Sequence, residues 1–337
     1  MSGATAGAQL ASGEIEQTSV ADGQSLAMTE EQRRAFDEQG FILIKDFFNQ
    51  AEFDRLMAAI DEVAARIQAE KGLGAADPFA LRNALSHHAA FLDLIDNPRM
   101  LPLVVDAIGW NIQIRTTHLD YRPPYPHGLE PGALGTGEGA DQTAGYKNLV
   151  WHPDLAGKYL FEAPSHDGRL PFMEIKVGYY LSDLTERNSG AICLVPGSHR
   201  RPPQELRDMN RRVPEDQFIE LNVPANTALL WRTQVWHCVT PNLSNKVRKV
   251  FYVGYHYRWL RPTDYIQQDA ELIARSSPVR RQLLGALDPG GDPLGKDPFW
   301  EPSSRYWLIK NWEDVPLKTW AEERSGGRQA EVEKVHI

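Results

Sequence analysis

Cysteine is almost missing from this chain: Cys193 and Cys238 are the only two in 337 residues. A disulfide framework needs more cysteines in a shorter chain, so the composition fits a reducing compartment, with the cytoplasm as the default. Each cysteine is expected to behave as a small buried apolar residue. Long apolar runs are missing too. Nowhere do about 18 consecutive apolar residues occur, and the amino terminus has neither a basic n-region nor an apolar h-region, so membrane spanning and secretion lack support. Positive charge is in deficit: 36 Lys and Arg against 45 Asp and Glu give a formal net charge of -9. That balance argues against a nucleic-acid footprint, which needs a concentrated basic surface. The short basic runs His199-Arg200-Arg201 and Arg211-Arg212 read as solvated loops. No internal repeat is visible.

What is present is ordinary globular material. Hydrophobic residues at 42% and charged residues at 24% support a substantial core and exclude wholesale disorder. The length suits one large domain with appendages. Residues 1–27 are rich in Ala, Gly, Ser, Gln and Thr without hydrophobic periodicity and read as a disordered tail. Residues 28–337 are expected to form a single domain: amino-terminal helices, a barrel core from about 110 to 260, and a carboxy-terminal helical and loop extension.

Thr29 followed by Glu30, Glu31 and Gln32 resembles a capping arrangement, and Gly40 ends the short helix it opens. Phe41-Ile42-Leu43-Ile44 suits a strand, while Phe53, Leu56, Ile60, Val63, Ala64 and Ile67 recur on one face of an amphipathic helix. Beyond about residue 110, Pro and Gly punctuate short apolar runs: Ile112 to Ile114, Glu174 to Leu181, Ala191 to Val195 and Val250 to Tyr257. Strands without long intervening helices favour an antiparallel sandwich or barrel, and a jelly roll leads. Glycines crowd residues 128–145, which suits a loop before the most informative motif.

In Trp151-His152-Pro153-Asp154 an imidazole and a carboxylate stand two residues apart, and in extended backbone they point to the same side. Imidazole plus carboxylate suits Fe(II), and a second histidine completes a two-His-one-carboxylate triad that leaves coordination positions open. His-x-Asp alone is a weak signal. Its context is His237, which closes the run from Thr227 to Trp236, and Arg248, eleven residues further on a strand-like segment. Counting by twos from Arg248 puts Val250, Tyr252, Gly254 and His256 on one face and Phe251, Val253, Tyr255 and Tyr257 on the other. A guanidinium there suits a bidentate grip on the distal carboxylate of a 2-oxo diacid. His199 sits in turn chemistry after Pro196-Gly197 and is expected to make turn-stabilising hydrogen bonds. His118, His127, His166 and His256 are expected to be structural or solvent-facing, with His256 able to reach the pocket. Trp231, Trp236, Tyr179 and Tyr180 read as core.

These segments, taken in order, resemble the phytanoyl-CoA dioxygenase superfamily of Fe(II)/2-oxoglutarate oxygenases. The likeness spans roughly Met28 to Trp259. It rests on Met28-Thr29-Glu30-Glu31-Gln32 leading to Phe41 through Phe47, on Trp151-His152-Pro153-Asp154, on Asn188-Ser189-Gly190-Ala191-Ile192-Cys193-Leu194-Val195-Pro196-Gly197-Ser198-His199, and on His237 with Arg248. The resemblance implies a mainly β fold with flanking helices, a double-stranded β-helix of cupin-like jelly-roll type. It implies that His152, Asp154 and His237 bind Fe(II) and that Arg248 binds 2-oxoglutarate. It implies an enzyme that uses O2 to hydroxylate or otherwise oxidise an unactivated C–H of a small metabolite, with release of succinate and CO2. Arg122 before Pro123-Pro124 stands where the family often has a basic co-substrate helper, with Arg in place of Lys. Val239 departs from the pattern, since relatives often carry a small hydroxyl residue two positions past the distal histidine; Thr240 is the neighbouring substitute. A carboxylate at Asp154 favours hydroxylation over halogenation, because related halogenases have a small residue there. Two alternatives remain: a cupin-like metalloprotein with isomerase or hydrolase chemistry, against which Arg248 argues, and a turnover-inactive ligand-binding relative, against which the intact triad argues.

Overall fold

The structure, a computed structural model, describes residues 28–125, 149, 151–154, 168–286 and 315–325. The expected tail over 1–27, the glycine-rich stretch 128–145, and His127 and His166 lie outside the described residues. Among the described residues, no helix is long and apolar enough to cross a membrane.

Local chemistry sets the opening elements. Helix α1 (Glu30–Glu38) begins on a capping box in which the Thr29 hydroxyl accepts from the Gln32 amide and the Gln32 side chain accepts from the Thr29 amide. Strand β1 (Phe41–Ile44) follows at once. Helix α2 (Gln50–Lys71) repeats the device with Asn49 and Glu52 and stops at Gly72, whose left-handed backbone favours glycine. After β2 (Phe79–Arg82) comes α3 (Leu101–Ile108), and then the long β3 (Ile112–Arg122), β4 (Glu174–Tyr180), β5 (Ile192–Leu194), β6 (Ile219–Glu220), β7 (Thr227–Arg232), β8 (His237–Val239) and β9 (Arg248–Tyr257).

These strands form two antiparallel sheets, one of six strands in the order β1-β7-β4-β9-β3-β2 and one of three in the order β6-β5-β8. The strand expected from Ile112 to Ile114 runs on to Arg122, because β3 pairs with β9 to the end of both, through one irregularity between Ile114 and Thr116. The polar residues Thr116, His118 and Asp120 masked that continuation in the sequence.

Two-residue alternation divides the large sheet. Val177, Tyr179, Leu230, Phe251, Val253 and Tyr255 share one core with Ile60, Val63 and Ile67 of α2 and Leu103 and Val104 of α3. Phe41, Leu43, Tyr180, Leu229, Trp231, Val250 and Tyr252 face the other way and pack with Ile192 and Leu194 of the small sheet. This inter-sheet layer turns polar toward one end, where the site lies. Carboxy-terminal helices at Ala270–Ala274, Pro278–Leu283 and Pro316–Ser325 add Leu272, Leu283 and Leu317 to the helix-covered core.

Candidate functional site

Main-chain hydrogen bonds bring the three sequence-picked ligands together. Gly197, in left-handed backbone, makes the turn that follows β5, and its amide donates to the Gln39 carbonyl at 2.9 Å. The Ser198 hydroxyl donates to the Val195 carbonyl at 2.7 Å and accepts from the Trp236 amide at 2.8 Å. That clamp fixes the residue preceding His237. His237 and His152 then exchange a reciprocal pair of bonds: His152 N–H to His237 C=O at 3.0 Å and the reverse at 2.9 Å. The Asp154 amide donates to the Thr233 carbonyl at 2.8 Å.

Side chains follow from that frame. His237 Nδ1 lies 2.8 Å from the Val235 carbonyl, which can only accept, so the proton sits on Nδ1 and Nε2 keeps its lone pair. Nε2 of His237 is 3.5 Å from Asp154 Oδ2, and Nε2 of His152 is 4.0 Å from Asp154 Oδ1. One ligand atom from each of the three lies within 4.8 Å of the others. Burial alone would raise the Asp154 carboxyl, but Lys176, His237 and His152 outweigh it and hold the group well below the usual carboxylate range. Lys176 from β4 donates to Asp154 directly. An ionised carboxylate beside two imidazoles, one with its lone pair already exposed, is a donor set that fits Fe(II).

The triad opens on a cavity of about 200 Å³. Its wall on the large sheet includes Arg82, Arg115, His118, Asp120, Lys176, Trp231 and Tyr252, and Val239 faces it from the small sheet. Arg115 pairs with Glu174, so its charge is answered. A larger hollow of about 310 Å³ lies elsewhere and is lined by Glu52, Arg55, Asp93, Asp96 and Arg280. Its charges answer one another, Arg55 to Asp93 and Arg280 to Asp93 and Asp96, and no triad residue reaches it.

Arg248 is fully buried. Its Nε donates to the Gly190 carbonyl, one terminal nitrogen donates to Asp120 at 2.9 Å, and the other to the Tyr252 hydroxyl at 2.7 Å. Gly190 accounts for the glycine of the Asn188-Ser189-Gly190 motif: its φ is +85°, and a Cβ there would sit 2.5 Å from Arg248 Cδ. Arg248 does not itself line the cavity; Asp120 and Tyr252, which hold it, do. Arg122 stands opposite Arg248 in the β3–β9 register and shares Asp120, at 3.3 Å. The Thr240 hydroxyl is spent on the Ala191 carbonyl at 3.2 Å, so it does not replace the hydroxyl missing at Val239.

Of the remaining histidines, His199 reaches the Asp37 carbonyl at the end of α1, 3.1 Å away, and is a structural tie. His256 is buried against Gln113 and does not line the cavity. His118 does line it, as do Arg82, Arg115 and Lys176, and sequence reasoning missed the role of all four. The signal was available: extending the two-residue count across the polar half of β3 puts Thr116, His118 and Asp120 on the face opposite Leu119.

Known proteins share this architecture. The "Crystal structure of non-heme alpha ketoglutarate dependent carbocyclase SnoK from nogalamycin biosynthesis" superposes with a TM-score of 0.52 at 17% identity, covering 75% of this chain and 93% of that one. EctD from S. alaskensis, solved with 2-oxoglutarate and 5-hydroxyectoine, gives 0.51 at 17% identity over 74% and 82%. HygX from Streptomyces hygroscopicus, with nickel and 2-oxoglutarate bound, gives 0.51 at 19% over 74% and 95%. These likenesses identify the two sheets with flanking helices as the expected jelly-roll fold. Among curated proteins, an ectoine dioxygenase of Bordetella parapertussis is 22% identical over 181 residues, 52% of this chain and 51% of that protein, and one of Nocardia farcinica is 23% identical over 176 residues, 50% of this chain and 51% of that protein. The chain thus spans about half the length of the curated relatives it matches. The family model for phytanoyl-CoA dioxygenase (PhyH) matches residues 36–250, which run from α1 into β9 and take in the triad and Arg248. The chain belongs to the phytanoyl-CoA dioxygenase family.

Proposed function

We propose that this protein is a non-haem Fe(II)- and 2-oxoglutarate-dependent dioxygenase of a small molecule, with His152, Asp154 and His237 as the metal ligands. The observation that carries this reading is the convergence of two imidazoles and a carboxylate at the edge of a cavity, on segments tied together by main-chain hydrogen bonds. Iron held there, with 2-oxoglutarate and O2, supplies oxidative chemistry at an unactivated C–H: R–H, 2-oxoglutarate and O2 give R–OH, succinate and CO2. Asp154 supplies a carboxylate ligand, which favours hydroxylation over halogenation.

The protein's own groups bind and orient. His237 meets the metal through Nε2 because Val235 holds the proton on Nδ1. Arg248, which stands behind Asp120 and Tyr252 in the cavity wall, reaches the distal carboxylate of 2-oxoglutarate when that carboxylate displaces Asp120. Among the described residues three of its five N–H groups are engaged, leaving one on each terminal nitrogen, and the Tyr252 hydroxyl beside it reaches the cavity wall. Arg122 assists through the shared Asp120. Trp231, Ile192 and Val239 give the cavity its apolar side and limit water around the reacting centre. The reading takes residues 28–337 as one oxygenase domain, working in the cytoplasm without nucleic acid or membrane.

Anaerobic addition of Fe(II) and then 2-oxoglutarate should produce a weak visible charge-transfer band, and substrate candidates can then be ranked by the succinate they stimulate. Absence of the band sinks the co-substrate assignment.

A further inference from the structure

Among the described residues, one cation in the cavity wall has no carboxylate to answer it. Lys176 is taken by Asp154 and Arg115 by Glu174. Arg82, from edge strand β2, lies directly across from His118 in the β2–β3 register, and among the described residues its polar contact is to that histidine alone. One guanidinium nitrogen stands 3.2 Å from His118 Nδ1.

That contact settles the histidine's tautomer. A guanidinium donates and never accepts, so Nδ1 must carry the lone pair and the proton must sit on Nε2. Burial, with Lys176 and Arg82 adding to it against Asp120, pushes the ring down to about 3, so it is neutral at physiological pH. Its ring lies against Tyr252, centroids 4.6 Å apart, which fixes its plane. His118 therefore lines the cavity with an Nε2–H donor for which the described residues offer no acceptor, and it is only 9% exposed. Beside it, at the rim, Arg82 keeps four N–H groups that no described residue engages.

We propose that Arg82 and His118 form a carboxylate-binding pair that selects anionic substrates, the guanidinium supplying charge and the imidazole Nε2–H a directed hydrogen bond. The substrate class is a small molecule bearing a carboxylate, held at the β2 side of the cavity while its C–H is presented to the triad. This assignment rests on the dioxygenase reading for the identity of the cavity, but recognition of the anion does not.

The test is calorimetry on the full-length chain loaded with redox-inert Ni(II) and saturated with 2-oxoglutarate, titrated with butyrate and phenylacetate and with the amide of each. Carboxylates should bind at least about tenfold more tightly than their amides, the scale of a charge-assisted hydrogen bond. Arg82→Met and His118→Phe should each bring that ratio close to one. Arg82 is exposed and His118→Phe keeps a ring against Tyr252, so both variants are expected to fold, which circular dichroism checks. Absence of any carboxylate preference in the wild type, or a ratio untouched by both variants, overturns the proposal. A weaker affinity for 2-oxoglutarate itself in either variant also overturns it, because the pair would then hold the co-substrate. Repeating the titrations without metal separates the two claims: failure of the Ni(II)-loaded protein to bind 2-oxoglutarate sinks the dioxygenase reading, whereas a carboxylate preference that survives in the metal-free protein leaves this one standing.

Discussion

The two faces of the six-stranded sheet come from the same strands and obey opposite rules. Along β9, Phe251, Val253 and Tyr255 enter a helix-covered core, while Arg248, Tyr252, Gly254 and His256 face the other way. The outer face is mainly apolar and gains stability from area removed from water. The inner face buries Arg248, Asp120, Lys176 and His118 and must satisfy each with a partner. Stability and chemistry are thus separated by a single step along the chain, so substitutions one residue apart should fail in different ways.

The sharpest break is expected at Asp154. Asp154→Ala should abolish Fe(II)-dependent consumption of 2-oxoglutarate and weaken metal binding by more than the roughly 10–100-fold that outer partners of a ligand cost. Normal turnover in this variant would refute the ligand assignment. On the opposite face, Phe251→Ala should cost about 3–5 kcal/mol of unfolding free energy, read by urea denaturation, while activity per folded molecule persists. If activity fell while stability stayed unchanged, the division between faces would be wrong.

Gly190→Ala tests a point where backbone serves the inner face. A methyl group at φ +85° and 2.5 Å from Arg248 Cδ must displace the guanidinium, so a several-fold rise in the 2-oxoglutarate requirement should exceed any change in metal affinity. Acid should also divide the faces. Burial, with Arg115 adding to it, pushes His256 down to about 3 in the folded protein. The unfolded chain takes up that proton first, so this contribution is intact above pH ~6.5 and drains as pH falls toward 3. Between pH 7 and 5 the loss of stability should be smaller in His256→Gln by about 2 kcal/mol, measured by denaturation at each pH. An equal slope in both proteins would remove His256 from the account. Smallest is Thr29→Ala, which breaks the α1 capping box far from the cavity and should cost about 1 kcal/mol with turnover unaffected.

The outer face was far more legible in the sequence than the inner one. Apolar residues spaced for a helix gave α2, and the β-branched run gave β1, because burial on one side writes a simple period. The triad was legible for a different reason: His152 and Asp154 are neighbours in the chain, and His237 with Arg248 falls at the spacing of a known family. Arg82, Lys176 and His118 were not, since their importance comes from cross-strand register, Arg82 against His118 and Lys176 against Gly254, which local periodicity does not encode. The interception of Arg248 by Asp120 was equally hidden, because a strand count gives a side chain's face but not its partner.

The reciprocal bridge between His152 and His237 has a kinetic consequence. Among the described residues, the segments that bear His152 and His237 are joined by this reciprocal pair of amide bonds, with the Asp154 amide bond to Thr233 beside it, outside the continuous ladders of either sheet. Opening that one rung would separate His152 from His237 while leaving the helix-covered core intact, so metal residence time should follow a local fluctuation and not global unfolding. Hydrogen exchange at the His152 and His237 amides should then be faster than at the β4 and β9 amides in the metal-free protein, and should slow when metal binds.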